Sequence, residues 1–154
     1  MQRERDSWDE RWKEKEENFD NIKLYVHVFS NILFNDDGVE PGKNHEGDLL
    51  VDYYPFKEEI RMGLLVPDDS MVGDGIFKGD IAIAVMGQED IPPTDIALVN
   101  IRNEPTCLKK IEYYGDNIML SASNPSSRPL LLPKKDVRII GKVLEIRRIL
   151  NKSS

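Results

Sequence analysis

The sequence is short of the residues that most direct routes to chemistry require. It has one cysteine, Cys107, and two histidines, His27 and His45. A single cysteine excludes an internal disulfide and suits a reducing cytoplasm. His27, His45 and Cys107 are scattered and lack the spacing of metal ligands, so no metal and no other cofactor is expected. Neither histidine is tied to a serine by a local signature, as Ser-His-Asp chemistry would need. No apolar run approaches the roughly 18 residues of a membrane span. The opening "MQRERDSWDERWKEKEENFD" has no apolar core and does not read as a secretion signal. Basic charge is also scarce, 21 Lys and Arg against 28 Asp and Glu, for a formal charge of −7. That balance argues against a folded body that grips nucleic acid through its phosphates. No segment carries the two short helices and tight turn of a helix-turn-helix reader either. The expectation is a soluble cytoplasmic protein that reaches DNA, if at all, through another module or partner.

What is present is a chain of 154 residues, 40% hydrophobic, long enough for one domain with a proper core. Residues 1–21 are charged, with Trp8, Trp12 and Phe19 at helix-compatible spacing and Asp6 or Ser7 as a cap, which predicts a charged linker helix. From Ile22 the period changes to two. "IKLYVHVF" puts Leu24, Val26 and Val28 on one face and Tyr25, His27 and Phe29 on the other. "SNILFNDDGVEPGKNHEGD" then reads as a long irregular loop, and such loops inside compact domains are functional or disordered. "DLLVDYY", "IRMGLLV", "DIAIAVM", "DIALVNI", "TCLKKIEY", "NIMLSAS" and "VRIIGKVLEIRRIL" follow as short strands separated by Pro- and Gly-rich turns. Without helical periods between them, they predict a mainly β, mostly antiparallel domain over residues 22–152. The basic stretch from Lys134 to Lys152 reads as an edge strand guarded by charge.

"VPDDSMVGDGIFKGDIAIAV", Val66 to Val85, holds a lone serine among aspartates and glycines. As a calcium loop it fails, because position five would be Val72 and position twelve Gly79. As a dinucleotide loop its glycines are one residue too far apart, and it leads into a strand instead of a helix N-terminus. A serine can use a lysine as base where desolvation makes the neutral amine accessible. Lys109 in "TCLKKIEYY" sits in a strand-like run beside Leu108 and Ile111, although lysines most often occupy solvated faces.

These two segments resemble those of the LexA-like serine peptidases. Ser70-Met71, Gly75-Ile76 and Gly79-Asp80 match in order and spacing the family's Ser-Met pair and "G-I-x-x-G-D" turn. "TCLKKIEYYGDNIMLSASNP" is similar to its lysine strand, Gly turn and Asn-Pro-like loop. Alignment back from Gly115 puts Lys109 on the family's lysine, with Lys110 the second choice. "VRIIGKVLEIRRIL" is similar to its terminal strand, commonly part of a dimer contact. The resemblance implies a LexA-like β-fold over roughly Ile22 to Leu150 with a cleavage-region loop at 29–47. It implies Ser70 as nucleophile, Lys109 as general base and the backbone amides of Asp69 and Ser70 as oxyanion donors. It implies self-cleavage upstream of the serine, where the family uses Ala-Gly or Cys-Gly. Neither dipeptide occurs in the first 60 residues, and the two alignments of the region offer Ser30-Asn31 or Asp37-Gly38 instead. The implied protein is the peptidase and dimerisation domain of a stress or prophage regulator, or a UmuD-like polymerase accessory subunit. Its implied partners are a second copy of itself and an activated RecA filament. A non-cleaving interaction module of the same fold is the alternative, and a signal-peptidase-like processing enzyme a more distant one.

Overall fold

The computed structural model describes residues 23–32, 34–35, 38–39, 44–52, 60–87 and 90–150. The expected N-terminal helix lies outside them. The architecture is mainly β, as the alternating periods predict. The first strands are β1 (Lys23–Phe29), the short pair β2 (Phe34–Asn35) and β3 (Gly38–Val39), then β4 (His45–Asp52) and β5 (Arg61–Leu65). After a long turn come β6 (Ile81–Met86), β7 (Ala97–Ile101), β8 (Cys107–Tyr114), β9 (Asn117–Ser121), β10 (Leu130–Pro133) and β11 (Val137–Arg147). Among the described residues, nine of these form one sheet in the order β10-β9-β8-β7-β11-β6-β5-β1-β4, and β2 pairs β3 separately. All sheet pairings are antiparallel except β1 with β5.

The last strand overturns the edge-strand expectation. β11 lies in the middle of the sheet, hydrogen-bonded to β7 through Val137–Lys142 and to β6 through Gly141–Arg147. Its charged residues mark a face, not an edge: Arg138 and Glu145 are exposed while the backbone is paired on both sides. At the handover a Cβ on Gly141 would stand 2.3 Å from the Val85 carbonyl oxygen, so only glycine lets the two backbones approach this closely. β11 thus joins one half of the sheet, β6-β5-β1-β4, to the other, β7-β8-β9-β10.

The presumed long loop also has structure of its own. Phe34 pairs with Val39 and Asn35 with Gly38. His45 to Asp48, read as the loop's end, belong to β4. "LLLP" was hidden among prolines and forms β10 against β9.

Packing covers both sheet faces at the centre. Along β6, Ala82 and Ala84 join a core with Leu64, Leu98, Leu108, Met71 and Ile76, while Ile81 and Ile83 join Val26, Val28 and Val51 on the opposite side. Ile111, Ala97, Val99, Ile118 and Leu120 form a third cluster. Residues 81–85 are consequently all buried, the continuous apolar run expected of a strand covered twice. The first of these cores takes side chains from both halves of the sheet and from the turn that carries Ser70.

Candidate active site

Ser70 sits in the long connection between β5 and β6, closed at its base by Val66 N–H to Asp80 O (2.8 Å) and Gly79 N–H to Val66 O (2.9 Å). The turn is fixed from several sides. Met71, directly after the serine, is 1% exposed in the shared core, a burial that stabilises by about 2 kcal/mol. Asp69 accepts Lys78 N–H on its carboxylate (3.0 Å) and the Asn124 side-chain amide on its carbonyl (3.0 Å). Gly73 N–H donates to Ser123 O at 3.0 Å, and a Cβ on Gly73 would stand 2.2 Å from that oxygen. Gly75 holds φ +76°, in the left-handed region where glycine is at ease.

Asp80 closes the turn from below. It is 3% exposed and accepts Phe77 N–H (2.9 Å) and two guanidinium bonds from Arg148 (2.8 and 2.7 Å). The same Arg148 donates to Gly75 O (2.7 Å) and lies over the Phe77 ring at 4.7 Å. A planar guanidinium suits this bidentate, stacked arrangement. The Asp80 carboxylate beside it pushes the Arg148 pKa up from its already high ordinary value.

Ser70 itself is half-buried, and among the described residues its hydroxyl makes no hydrogen bond. Its amide is engaged: Ser70 N–H donates to the Asp68 carboxylate at 3.0 Å. On β8, Lys109 and Lys110 point to opposite faces. Lys110 is committed, its ammonium 3.1 Å from Asp74 across the base of the serine turn. Lys109 is half-buried and has no ion-pair or hydrogen-bond partner among the described residues. Cys107 opens the same strand. Burial pushes its thiol up to about 11, Lys109 pulls it down, and Asp68 and Glu104 push it up. One thiol therefore feels both the lysine two residues after it and the aspartate two residues before Ser70.

A family model described as Peptidase S24-like matches residues 40–144. That stretch contains the serine turn, β8 and all of the sheet's second half. The chain belongs to the peptidase S24-like family. Among curated proteins, the LexA repressor of Geobacter sp. (strain M21) is 33% identical over 105 residues, 67% of this chain and 51% of that protein. The LexA repressor of Anaeromyxobacter sp. (strain Fw109-5) is 37% identical over 89 residues, 56% of this chain and 38% of that protein. The LexA repressor of Magnetococcus marinus is 34% identical over 106 residues, 68% of this chain and 45% of that protein. The chain thus spans about half, or less, of the length of the curated relatives it matches.

The two peptide bonds considered for cleavage precede the S24-like match and differ in surroundings. Ser30-Asn31 is tied down on both sides. Ser30 N–H donates to Asn44 O (2.9 Å), and the Asn31 side-chain oxygen accepts from Thr106 N–H (2.8 Å) and Thr106 hydroxyl (3.0 Å). Thr106, 1% exposed, also accepts from Ile32 N–H (3.2 Å) and the Asn100 amide (2.9 Å). Asp37-Gly38 instead lies at the short β2–β3 connection; Asp37 itself is outside the described residues.

Sequence reasoning missed the Thr106 network, Arg148 and the Ser123-Asn124 contacts of this S24-like chain. The threonine before the lysine strand and the Asn-Pro step were visible, but their partners lie some 50 to 75 residues away. It also treated the histidines as scattered. The structure brings both to Asp48, with His27 Nδ1 at 2.6 Å and His45 Nε2 at 2.8 Å from the same carboxylate oxygen. Those two contacts, His27 first, hold the Asp48 carboxyl below its ordinary value. Cys107 is not part of that group.

Proposed function

We propose that this chain is a LexA-like Ser-Lys peptidase domain of a stress (SOS) or prophage transcriptional regulator that cuts its own backbone and pairs with a second copy of itself. A UmuD-like polymerase accessory is the close variant. The observation that supports the reading is that, among the described residues, Ser70 and Lys109 carry an uncommitted hydroxyl and ammonium on a turn and a strand that the Lys110–Asp74 ion pair ties together, in an S24-like chain. Ser70 Oγ attacks the scissile carbonyl as neutral Lys109 takes its proton. The amides of Asp69 and Ser70 face the developing oxyanion. Lys109 then returns the proton to the leaving amine, and water releases the acyl-enzyme. An intramolecular bond needs no substrate recruitment, so a modest site suffices. The clamp on Ser30-Asn31 leaves Asp37-Gly38 as the bond we propose is presented. An activated RecA filament is the proposed trigger, and contact with DNA would run through a module other than this β-domain.

One observation favours the non-cleaving interaction module: the Ser70 amide already serves the Asp68 carboxylate, which puts a negative charge where an oxyanion would form. Incubating the purified protein at rising alkaline pH, with and without activated RecA filament, separates the readings by intact mass. Self-cleavage predicts two fragments that sum to the chain plus one water, with the cut at Asp37-Gly38, accelerating as the pH rises. Ser70→Ala and Lys109→Ala each abolish it. An unchanged mass after a day in every condition refutes the peptidase reading, and a cut that persists in Ser70→Ala assigns it to another protease.

A further inference from the structure

We propose that His27, His45 and Asp48 form a binding site for a divalent transition-metal ion of the zinc type. The group is built by the β1–β4 ladder. His27 and Asp48 are registered partners across the two strands, so their side chains share a face. His45 lies three residues before Asp48, a spacing that in a regular strand sends it to the other face. Between them the register shifts by one residue, with Val28 opposite Gly47 but Phe29 opposite His45. This bulge, at a Gly47 with φ +146°, adds the extra residue that turns His45 back toward Asp48. Re-aiming one side chain is a recurrent use of such bulges.

The three donor atoms, His27 Nδ1, His45 Nε2 and an Asp48 carboxylate oxygen, all lie within 4.8 Å of one another. Tetrahedral zinc with bonds of about 2.0–2.1 Å places its ligand atoms about 3.3 Å apart. The present 2.6 and 2.8 Å separations to Asp48 need to open by roughly half an ångström to admit an ion. Carboxylate rotation and small imidazole tilts cover that distance without moving the backbone. The rings stand edge to face, 5.2 Å between centroids, so both can aim nitrogens at one point. His45 is steadied on its other side by the Phe29 ring, 5.8 Å away.

The donor chemistry sets the class of ion. Two imidazoles and one carboxylate suit zinc, cobalt, nickel or copper and reject calcium and magnesium, which take oxygen ligands. All three residues are exposed, so a fourth position is open to water. The site also has a defined place in the fold. Ser30 N–H to Asn44 O closes the neck of the segment between β1 and β4, one residue from His45 and three from His27. A bound ion staples that neck and so restricts the segment that carries Ser30-Asn31 and Asp37-Gly38. The binding claim itself is independent of the peptidase reading.

The test is titration of the full chain, stripped of metal and carrying Ser70→Ala to prevent cutting, with Co²⁺ as the visible probe and Zn²⁺ as competitor. Expected are saturable visible bands of a low-coordinate cobalt site at one ion per chain, bleached by Zn²⁺ and untouched by excess Ca²⁺ or Mg²⁺. His27→Ala, His45→Ala and Asp48→Ala each weaken Co²⁺ affinity at least tenfold while melting like the parent in the absence of metal. Absence of saturable bands up to millimolar Co²⁺ overturns the proposal. So does binding that survives in all three variants, which would leave the group a hydrogen-bonded cluster and nothing more.

Discussion

Replacing Thr106 by valine keeps the shape of a buried side chain and deletes only its hydroxyl. That hydroxyl accepts from Ile32 N–H and Asn100 Nδ2, and its one proton has the Asn31 oxygen at 3.0 Å and the Ile32 carbonyl at 3.2 Å as acceptors. Each neutral bond contributes about 0.5–1.5 kcal/mol net, and a buried donor left unpaired costs about 1–3 kcal/mol. Ile32 is 1% exposed, so its amide finds no water in the variant, whereas the half-buried Asn100 amide regains some. The sum is about 2–4 kcal/mol for Thr106→Val. At about 2–4 °C per kcal/mol for a chain of this size, the melting midpoint falls by about 4–16 °C. Thr106→Ser, which keeps the hydroxyl and loses a methyl, costs about 1 kcal/mol. Circular dichroism melts measure the midpoints, and hydrogen exchange of the Ile32 amide reports the local release. A Thr106→Val midpoint within about 1 °C of the parent, with Ile32 exchange unchanged, would refute the claim that this hydroxyl anchors Asn31 and Ile32 to the residue before β8.

Three further outcomes are expected. On the proposed self-cleaving reading, Asp68→Ala frees the Ser70 amide and removes the adjacent charge, so the cut accelerates by about tenfold or more, within the 10²–10³ worth of one oxyanion donor; an unchanged or slower rate by fragment mass counts against that role. The Cys107 thiol, raised to about 11, reacts with a disulfide reagent at a rate that climbs about tenfold per pH unit from pH 7 to 10 in the folded chain. An early plateau near pH 8.5 to 9, as in the denatured chain, would contradict its burial. Asp74 has its pKa lowered by the Ser123 hydrogen bond first and by Lys110 after it. Its contribution is therefore complete above the ordinary value of 3.8 and is lost as pH falls through the lower folded value. Asp74→Asn should flatten that acid limb in urea melts taken from pH 5 to pH 2, and an identical limb in the variant removes Asp74 as its source.

The period-two segments made most strands legible, because alternating residues at one spacing have few other ways to bury a face. "IRMGLLV", "DIAIAVM" and "TCLKKIEY" correspond to β5, β6 and β8 within a residue or two at each end. What escaped was set by tertiary pairing. β10 is a short apolar run between prolines that becomes a strand only because β9 offers it a ladder. The charges of β11 are compatible with an edge or with an exposed face, and only its neighbours β6 and β7 decide between them. Phe29 was placed with the outward Tyr25 and His27, but it is 6% exposed, because the register shift between Val28 and Phe29 interrupts the alternation. The same bulge gathers His45 to Asp48, and a linear pattern carries no sign of it. At the candidate active site, motif spacing named Ser70 and Lys109. It could not tell that Lys110 is spent on Asp74 or that Asp68 holds the serine's amide.

β11 also puts the assembly of the two halves on a clock. Ser70 is synthesised well before Val137–Arg147, and at ribosomal rates of about 5–20 residues per second the interval is about 4–15 seconds. During that time β6 and β7 have no common neighbour in the sheet, and the serine turn and Lys109 belong to halves that no ladder joins. Nascent chains therefore pass through a period in which no ladder joins the two halves of the sheet. The β11 pairing that ends it spans large sequence separations and closes slowly compared with a local hairpin. On the self-cleaving reading proposed above, a chain whose β11 has not yet paired lacks the strand that joins the two halves of the sheet, and cutting would await that closure.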